Sequence, residues 1–185
     1  MISREEALEL LHSQMQSQNL RKHCYAVEAV MKALATHFKE DEGLWGVVGL
    51  LHDADYEKYP EEHPKRIIKD LEELKAPEEI VNAIKAHALG FNGMDYEPKS
   101  KLDWSIYCCD ELTGFIVAVT LIRPEKKLAS VTVENILSKW SKKDFAKGVE
   151  RDHVEMCEEK LGIKLNDFME ITLKAMQGIS SELGL

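Results

Sequence analysis

The feature that most constrains this chain is an apolar segment that ends abruptly in a histidine and an aspartate. Its apolar residues, beginning with Leu44, Trp45 and Val47, cover every side of a helix, and the segment closes at His52-Asp53. A helix that is apolar all round is typical of a protein core. The carboxylate at its end needs a partner of opposite charge, because an unpaired buried charge is strongly disfavoured. A metal ion would also use the histidine, so the segment predicts a metal site whose other ligands lie elsewhere.

Helical periodicity runs through nearly all of the 185 residues, and no segment shows sustained alternation. Apolar residues recur at spacings of three and four, which predicts an all-α protein. The length allows one good core, so we expect a single domain over residues 1–185, with a motif core at about 20–120 and a C-terminal helical extension at about 124–185. The predicted helices cover residues 3 to about 19, 20–38, 41–52, 64–74, 77–87, 101–121, short helices within 126–147, 149–161 and 168–183.

The same periodicity places further polar residues on inward faces. His23 falls on the apolar face of the second predicted helix and His87 on that of the fifth, while Asp110 lies in the apolar stripe of the long helix 101–121. His63 precedes Pro64, and proline suits the first helical position, so His63 lies at the mouth of the fourth helix. A single inward histidine is usually a neutral core residue. The carboxylate of Asp110 within an apolar stripe, in contrast, favours a nearby cation.

Charge and cysteine content exclude several classes of protein. A formal net charge of −9 without a basic stripe argues against nucleic-acid binding. Four cysteines without C-x-x-C spacing, and the lack of an N-terminal signal segment, predict a cytoplasmic protein. The longest apolar run, around 115–122, is too short to cross a bilayer, so no membrane span is expected. An acidic chain can still bind a phosphate where a metal supplies local positive charge.

The order of these residues along the chain is H…HD…D, formed by His23, His52-Asp53 and Asp110. This pattern resembles that of the HD-domain superfamily of metal-dependent phosphohydrolases, over about residues 20–120. The resemblance implies an all-helical bundle of the HD-domain type, with a divalent metal ion held at its centre by these four side chains. Additional C-terminal helices would complete the chain.

Two further histidines resemble those of the family's binuclear branch. They are His63 in His63-Pro64 and His87 in Ala86-His87-Ala88. The resemblance implies that Asp53 bridges two ions and that His63 and His87 complete the second site. His87 is followed by residues 88–91, Ala-Leu-Gly-Phe, rather than by the G-Y-P signature of the cyclic-di-GMP-degrading proteins, which argues against that substrate.

The resemblance implies a hydrolase in which one or two divalent ions, Fe, Mn, Co, Ni, Zn or Mg, activate water for attack on phosphorus. Asp53 would be the catalytic residue, and the substrate would be a nucleotide or another small phosphate ester, either a monoester or a diester. Two alternatives stay open: a regulatory module that binds a metal or nucleotide without hydrolysis, and a di-iron oxygenase. The oligomeric state is open as well.

Other polar residues receive plainer interpretations. Arg66 could clamp a phosphoryl oxygen, but a surface side chain lying along its helix is favoured. Glu111 follows Asp110 by about 100° around the helix and should point aside, supporting the site at most indirectly. A solvated charged face is favoured over a phosphate entrance for Lys142, Lys143, Lys147 and Arg151. Surface or packing roles are assigned to His12, His37 and His153.

Overall fold

Helices make up the architecture of residues 2–185, which the computed structural model describes and among which no strand occurs. This confirms the predicted all-α fold. The helices are α1 Arg4–Gln14, α2 Gln18–Phe38, α3 Glu42–Leu51, α4 Lys65–Glu73, α5 Glu78–His87, α6 Lys101–Leu121, α7 Val133–Trp140, α8 Arg151–Met156, α9 Leu165–Gly178 and α10 Ser180–Leu183. A 3-10 turn lies at Leu128–Ser130, and a π-helical turn at Cys157–Leu161 continues α8.

The boundary between the first two helices lies earlier than predicted. α1 ends at Gln14 instead of near residue 19, because Ser17 caps the next helix by accepting a hydrogen bond from the main-chain N–H of Leu20. The guanidinium of Arg21 then donates to the carbonyl of Met15 at 2.7 Å and closes the gap between the helices. The predicted last helix also differs, since it divides into α9 and α10.

Helices α2 and α3 approach each other unusually closely, and Gly49 makes this possible. A Cβ atom at Gly49 would lie 2.8 Å from the main-chain carbonyl group of Val27. Every residue of α3 from Leu44 to Leu51 is buried, as its all-round apolar sequence predicts. The close approach brings His52, at the end of α3, against the face of α2 that carries His23.

α6 is the central helix of the core. It begins at a capping box formed by Ser100 and Asp103, and it packs against α2, α5, α8 and α9. The sequence predicted no membrane span, because the apolar run within α6 is short. By overall length and composition, however, α6 could cross a membrane. In the folded protein, 56% of its most apolar 18-residue stretch is buried. Core packing therefore accounts for its hydropathy. Near its middle, α6 places Asp110 opposite α2.

Arg151 organises the turns between α7 and α8. Its guanidinium donates to the main-chain carbonyls of Trp140 at 2.8 Å and Phe145 at 2.6 Å, and it lies over the rings of Phe115 and Trp140. Arg151 is therefore a packing residue of this segment, neither a solvated surface charge nor a phosphate ligand. The segment it holds ends at Val149 and Glu150, which border the main cavity of the protein.

Replacing Gly49 by alanine tests the contact between α2 and α3. We expect Gly49→Ala to lower the free energy of unfolding by about 1–3 kcal/mol or to prevent folding, because its Cβ must displace the main chain of α2. Chemical denaturation followed by circular dichroism measures the change. Gly178→Ala is the matched control, since a Cβ at Gly178 meets no atom within 4 Å. Equal unfolding free energies for Gly49→Ala and wild type would contradict the packing described.

Candidate metal centre

Six side chains from separate parts of the chain converge beside the central helix. They come from α2, from the end of α3, from the turn before α4, from the end of α5 and from the middle of α6. All are residues that the sequence singled out as metal ligands, and the structure brings them together: His23, His52, Asp53, His63, His87 and Asp110.

The first cluster joins two histidines to two carboxylates. The Nε2 atom of His23 lies 2.9 Å from Oδ1 of Asp110 and 3.2 Å from Nε2 of His52. The Nε2 atom of His52 lies 3.4 Å from the same Asp110 oxygen. Oδ2 of Asp53 completes the group, 3.8 Å from the His23 nitrogen and 3.7 Å from the His52 nitrogen. The two histidine nitrogens therefore have a carboxylate oxygen of Asp53 and one of Asp110 as neighbours.

The second cluster uses the other oxygen of Asp53. Oδ1 of Asp53 lies 3.3 Å from Nε2 of His63 and 3.6 Å from Nε2 of His87. The carboxylate of Asp53 thus presents one oxygen to each cluster. This is the arrangement expected of a residue that bridges two ions.

Main-chain carbonyls orient two of these histidines. The Nδ1 atom of His52 donates to the carbonyl of Gly49 at 2.8 Å, and that of His87 donates to the carbonyl of Ile84 at 2.5 Å. A carbonyl oxygen only accepts hydrogen bonds, so Nδ1 carries the hydrogen in both rings. When neutral, each ring therefore presents the lone pair of Nε2 to the site, as a metal-ligating histidine must.

A buried carboxylate orients His63. Asp55 is fully buried, and its Oδ1 lies 2.6 Å from Nδ1 of His63, while its Oδ2 accepts from the main-chain N–H of Ile67 at 2.9 Å. Carboxylate–histidine pairs of this kind fix the ring and raise the basicity of the ligating nitrogen. Asp55 was not among the ligands or supporting residues predicted from the sequence. Its position two residues after Asp53 was the only available signal.

The remaining histidine, His23, is contacted by Thr113 of α6. The Oγ1 atom of Thr113 lies 3.3 Å from Nδ1 of His23, and its own hydroxyl donates to the carbonyl of Asp110 at 2.8 Å. Thr113 therefore links the ring of His23 to the helix turn that supplies Asp110. Thr113 was not among the residues predicted from the sequence to support the site.

One nitrogen of the site shows directly that a cation fits. The Nε2 atom of His87 is buried, in a side chain that is only 3% exposed, and it has no hydrogen-bond partner within residues 2–185. Burial lowers the pKa of His87, so the ring is neutral and its unpaired lone pair faces the Asp53 carboxylate. The lone pair of His87 Nε2 and the Asp53 oxygen lie 3.6 Å apart, and a positive ion between them would relieve their mutual repulsion.

The distances between ligand atoms agree with such an ion. Ligands about 2.0–2.1 Å from a common metal at tetrahedral angles lie roughly 3.3 Å apart. Two groups have ligand atoms that all lie within 4.8 Å of one another: His23, His52 and Asp53, and Asp53, His63 and His87. Imidazole nitrogen and carboxylate oxygen suit Fe, Mn, Co, Ni and Zn alike. The donor set fits one or two divalent ions, and it does not select among them.

Without an ion, charges within the first cluster are strongly coupled. Burial lowers the pKa of His52, but the charges of Asp53 and Asp110 outweigh burial and raise this pKa to about 9. Burial likewise disfavours the charged form of Asp110, yet the neighbouring His52 and the hydrogen bond from His23 hold its pKa well below the usual range. A proton on His52 thus takes the role that an ion would have.

A cavity of about 630 Å³ opens above the two clusters. Tyr56 and Phe91 stand on one side, where their rings pack against His63 with centroids 5.4 and 5.6 Å away. Glu111 and Glu150 also border the cavity, and the main-chain N–H of Glu150 donates to the carboxylate of Glu111 at 3.2 Å. The cavity therefore combines an aromatic edge with an acidic one.

Two residues with plainer interpretations turn out to border this cavity. Glu111, which was expected to point aside, lies at its edge, where burial and the charge of Asp110 raise the pKa of its carboxyl to about 7. His153 of α8 also borders it, with its ring against Tyr107 at a centroid distance of 4.4 Å. Nothing in the periodicity of α8 indicated this position, because it depends on how α8 packs on α6.

The other weaker candidates keep their structural interpretations. Arg66 pairs with Asp70 at 3.3 Å and lies over the ring of Tyr59. The three lysines expected on a solvated face do not border the cavity: Lys142, Lys143 and Lys147. His12 contacts the hydroxyl of Tyr25 at 2.7 Å, as a packing residue would.

Comparison with known proteins identifies the family pattern. A family model described as the HD domain matches residues 20–114, which is slightly more than half of the chain. All six converging residues lie within the matched segment. No curated protein and no solved structure matches the chain.

Loss of the Asp55 carboxylate should weaken one ion site selectively. We expect wild-type protein to retain close to two ions per chain and Asp55→Asn to bind the second about 10–100-fold more weakly, because His63 loses its orienting partner. Elemental analysis after dialysis measures the ion content, and circular dichroism checks folding. Asp152→Asn, at an exposed position that does not itself border the cavity, is the control. Equal retention of two ions by Asp55→Asn would contradict the role of this carboxylate.

Metal uptake should weaken as the pH falls. With a pKa of about 9, His52 of the metal-free protein carries a proton at neutral pH, and its nitrogen must lose that proton to bind an ion. We expect the apparent affinity for Mn²⁺ to fall between about pH 8 and pH 6, by up to about tenfold per pH unit for each proton displaced. Calorimetry in buffers of different ionisation enthalpy counts the protons. Binding without proton release would be inconsistent with this site.

Proposed function

Because the chain belongs to the HD-domain family, we propose that it is a metal-dependent phosphohydrolase acting on a nucleotide or another small phosphate ester. The observation that carries this proposal is the position of Asp53, whose two carboxylate oxygens face two separate groups of histidine nitrogens. When bound, two ions at such a site would activate water and neutralise phosphoryl oxygens.

Each ligand residue would bind one of the two ions, except one that would bind both. His23, His52 and Asp110 would hold one ion, His63 and His87 would hold the other, and Asp53 would bridge them. The hydrogen bonds at the Nδ1 atoms hold the histidine rings in their ligating orientation before any ion arrives. Such preorganisation supports catalysis because no ring needs to reorient during the reaction.

The charges around the cavity support dependence on a metal. Within the part of the chain that the structure describes, neither lysine nor arginine borders the cavity, whereas Glu111 and Glu150 do. A phosphate group entering this acidic space would be repelled unless ions supplied the positive charge. We therefore infer that substrate binding, and not only turnover, requires the metal.

The size and edges of the cavity suit a small organic phosphate. A volume of about 630 Å³ lies within the usual range of small-molecule sites. Tyr56 and Phe91 are 39% and 45% exposed at its mouth, so their rings offer apolar surface to the organic part of a substrate. At the same time they shield His63, which is 3% exposed, from water.

Purified protein loaded with Mn²⁺, Fe²⁺, Co²⁺ or Ni²⁺ should release phosphate from members of a panel of aryl phosphates and nucleotides. We expect Asp53→Ala to lower turnover at least about a hundredfold and to lose bound metal, because both ion sites share this residue. Phosphate release and elemental analysis are measured on the same preparations. Asp95→Ala, which changes an exposed aspartate away from the cavity, should behave as wild type.

The same panel distinguishes the alternatives that the sequence left open. The absence of turnover with every metal and substrate would contradict the hydrolase. Tight nucleotide binding, with the nucleotide recovered intact after long incubation, would favour a regulatory binding module. Mixed-valent iron detected by electron paramagnetic resonance after aerobic purification would favour an oxygenase, whereas activity with Mn²⁺ alone would exclude redox chemistry at iron.

A further inference from the structure

A second cavity, of about 410 Å³, adjoins the metal centre. Two residues, His23 and Gly114, border both this cavity and the one above the ligand clusters. Both spaces therefore reach the first cluster at His23, whereas Phe91, whose ring packs against His63, lies at the second cluster. A molecule with its phosphate at the metal centre could extend into the second space past Gly114.

The walls of the second cavity are mainly apolar. On α6, Gly114, Val117 and Leu121 follow Asp110 at spacings of four, three and four, so they form one stripe that leads away from the metal centre. From Gly114 to Leu121 this stripe is about 10 Å long, at about 1.5 Å of rise per residue. Further residues without polar side chains line the walls, from α2, from α10 and from the two positions after it: Ala26, Leu183, Gly184 and Leu185.

Gly114 has none of the usual structural reasons to be a glycine. It lies inside a helix of 21 residues, where glycine is less favourable than alanine. Its φ angle is not among the positive values found at Gly90, Gly93, Gly162 and Gly184. Outside its own helix, no main chain among residues 2–185 approaches it closely either, since a Cβ built at Gly114 meets no other described atom within 4 Å.

Gly49 provides the contrast within the same protein. A Cβ at Gly49 would collide with α2, so helix packing accounts for that glycine completely. Gly114 is exposed, and a side chain there would project into open space at the border that the two cavities share, which we call the passage. Such a side chain would narrow the passage without displacing a residue in the part of the chain that the structure describes.

We propose that the second cavity is the subsite for an apolar organic group of the substrate, and that Gly114 keeps the passage to it open. This inference rests on the proposed phosphohydrolase function and specifies its substrate as a phosphate ester of an aliphatic or aryl alcohol. Four of the eleven lining residues have polar side chains: Asn19, Lys22, His23 and Thr113. A sugar bearing several hydroxyls would leave most of them without hydrogen-bond partners along the apolar stripe.

Binding of n-alkylphosphonates tests the subsite without requiring turnover, because phosphonates are not hydrolysed. The metal-loaded full chain is titrated calorimetrically with the series from methylphosphonate to octylphosphonate. We expect the dissociation constant to fall roughly threefold for each added methylene, until the alkyl chain outgrows the cavity. Dissociation constants that stay equal along the series, or the absence of binding by every member, would overturn the proposal.

Gly114→Leu is the decisive variant. Leucine is a good helix former, so this variant should fold with an unchanged or raised thermal midpoint, while its side chain blocks the passage. We expect it to bind methylphosphonate nearly as wild type does but to lose most of the dependence on chain length. Gly178→Leu, at another glycine whose Cβ would meet no atom within 4 Å, should keep the full dependence. Retention of that dependence by Gly114→Leu would overturn the proposal.

Further measurements locate the bound alkyl group and distinguish failure of this inference from failure of the proposed function. Loss of the chain-length dependence in Phe91→Ala, but not in Gly114→Leu, would place the organic group on the aromatic edge and overturn the subsite. Self-association of wild type that Gly114→Leu abolishes, seen by sedimentation, would make the cavity an interface between copies and also overturn it. Chain-length dependence without hydrolysis of any ester supports the subsite and contradicts the phosphohydrolase. Hydrolysis without chain-length dependence supports the phosphohydrolase and contradicts the subsite.

Discussion

A carboxylate held at the end of a buried helix is the constraint on which the rest of the site depends. Asp53 follows eight consecutive buried residues of α3, and each of its oxygens is directed at a different pair of histidine nitrogens. A partly buried negative charge surrounded by nitrogen lone pairs is stabilised by protons or metal ions among them. The ring of His52 carries such a proton in the metal-free protein, so a cation that binds to this ring must displace the proton.

The orientation of the ligand side chains depends on groups that contact the ligands without being ligands themselves. The closeness of α2 and α3 at Gly49 sets the separation of His23 and His52, and the same residue's carbonyl orients the His52 ring. The carboxylate of Asp55 does the same for His63. Neither Gly49 nor Asp55 is among the described residues that border the cavity, yet both hold a histidine nitrogen toward the site. The helical bundle therefore serves the site by fixing ring orientation as much as by bringing residues together.

Sequence reasoning predicted most of the fold and all six converging residues because both follow simple rules. Helical periodicity reveals which face of a helix is buried, so the inward positions of His23, His87 and Asp110 could be read directly. The cavity edges could not be predicted in this way. His153 and Glu150 reach the cavity because Arg151 ties the preceding turns to α7 and to the ring of Phe115. That network joins residues whose pairing has no regular spacing.

The sequence by itself determined the helical class, the approximate helices and the set of candidate ligands, because these depend on side-chain type and on spacing along one helix. Tertiary structure alone decided that Asp53 faces two clusters, that Asp55 orients His63, and that a second cavity opens past Gly114. Each of these depends on the distance between side chains of different segments. Such distances are set by helix packing, and packing depends on the shapes of many residues together, which no local pattern records.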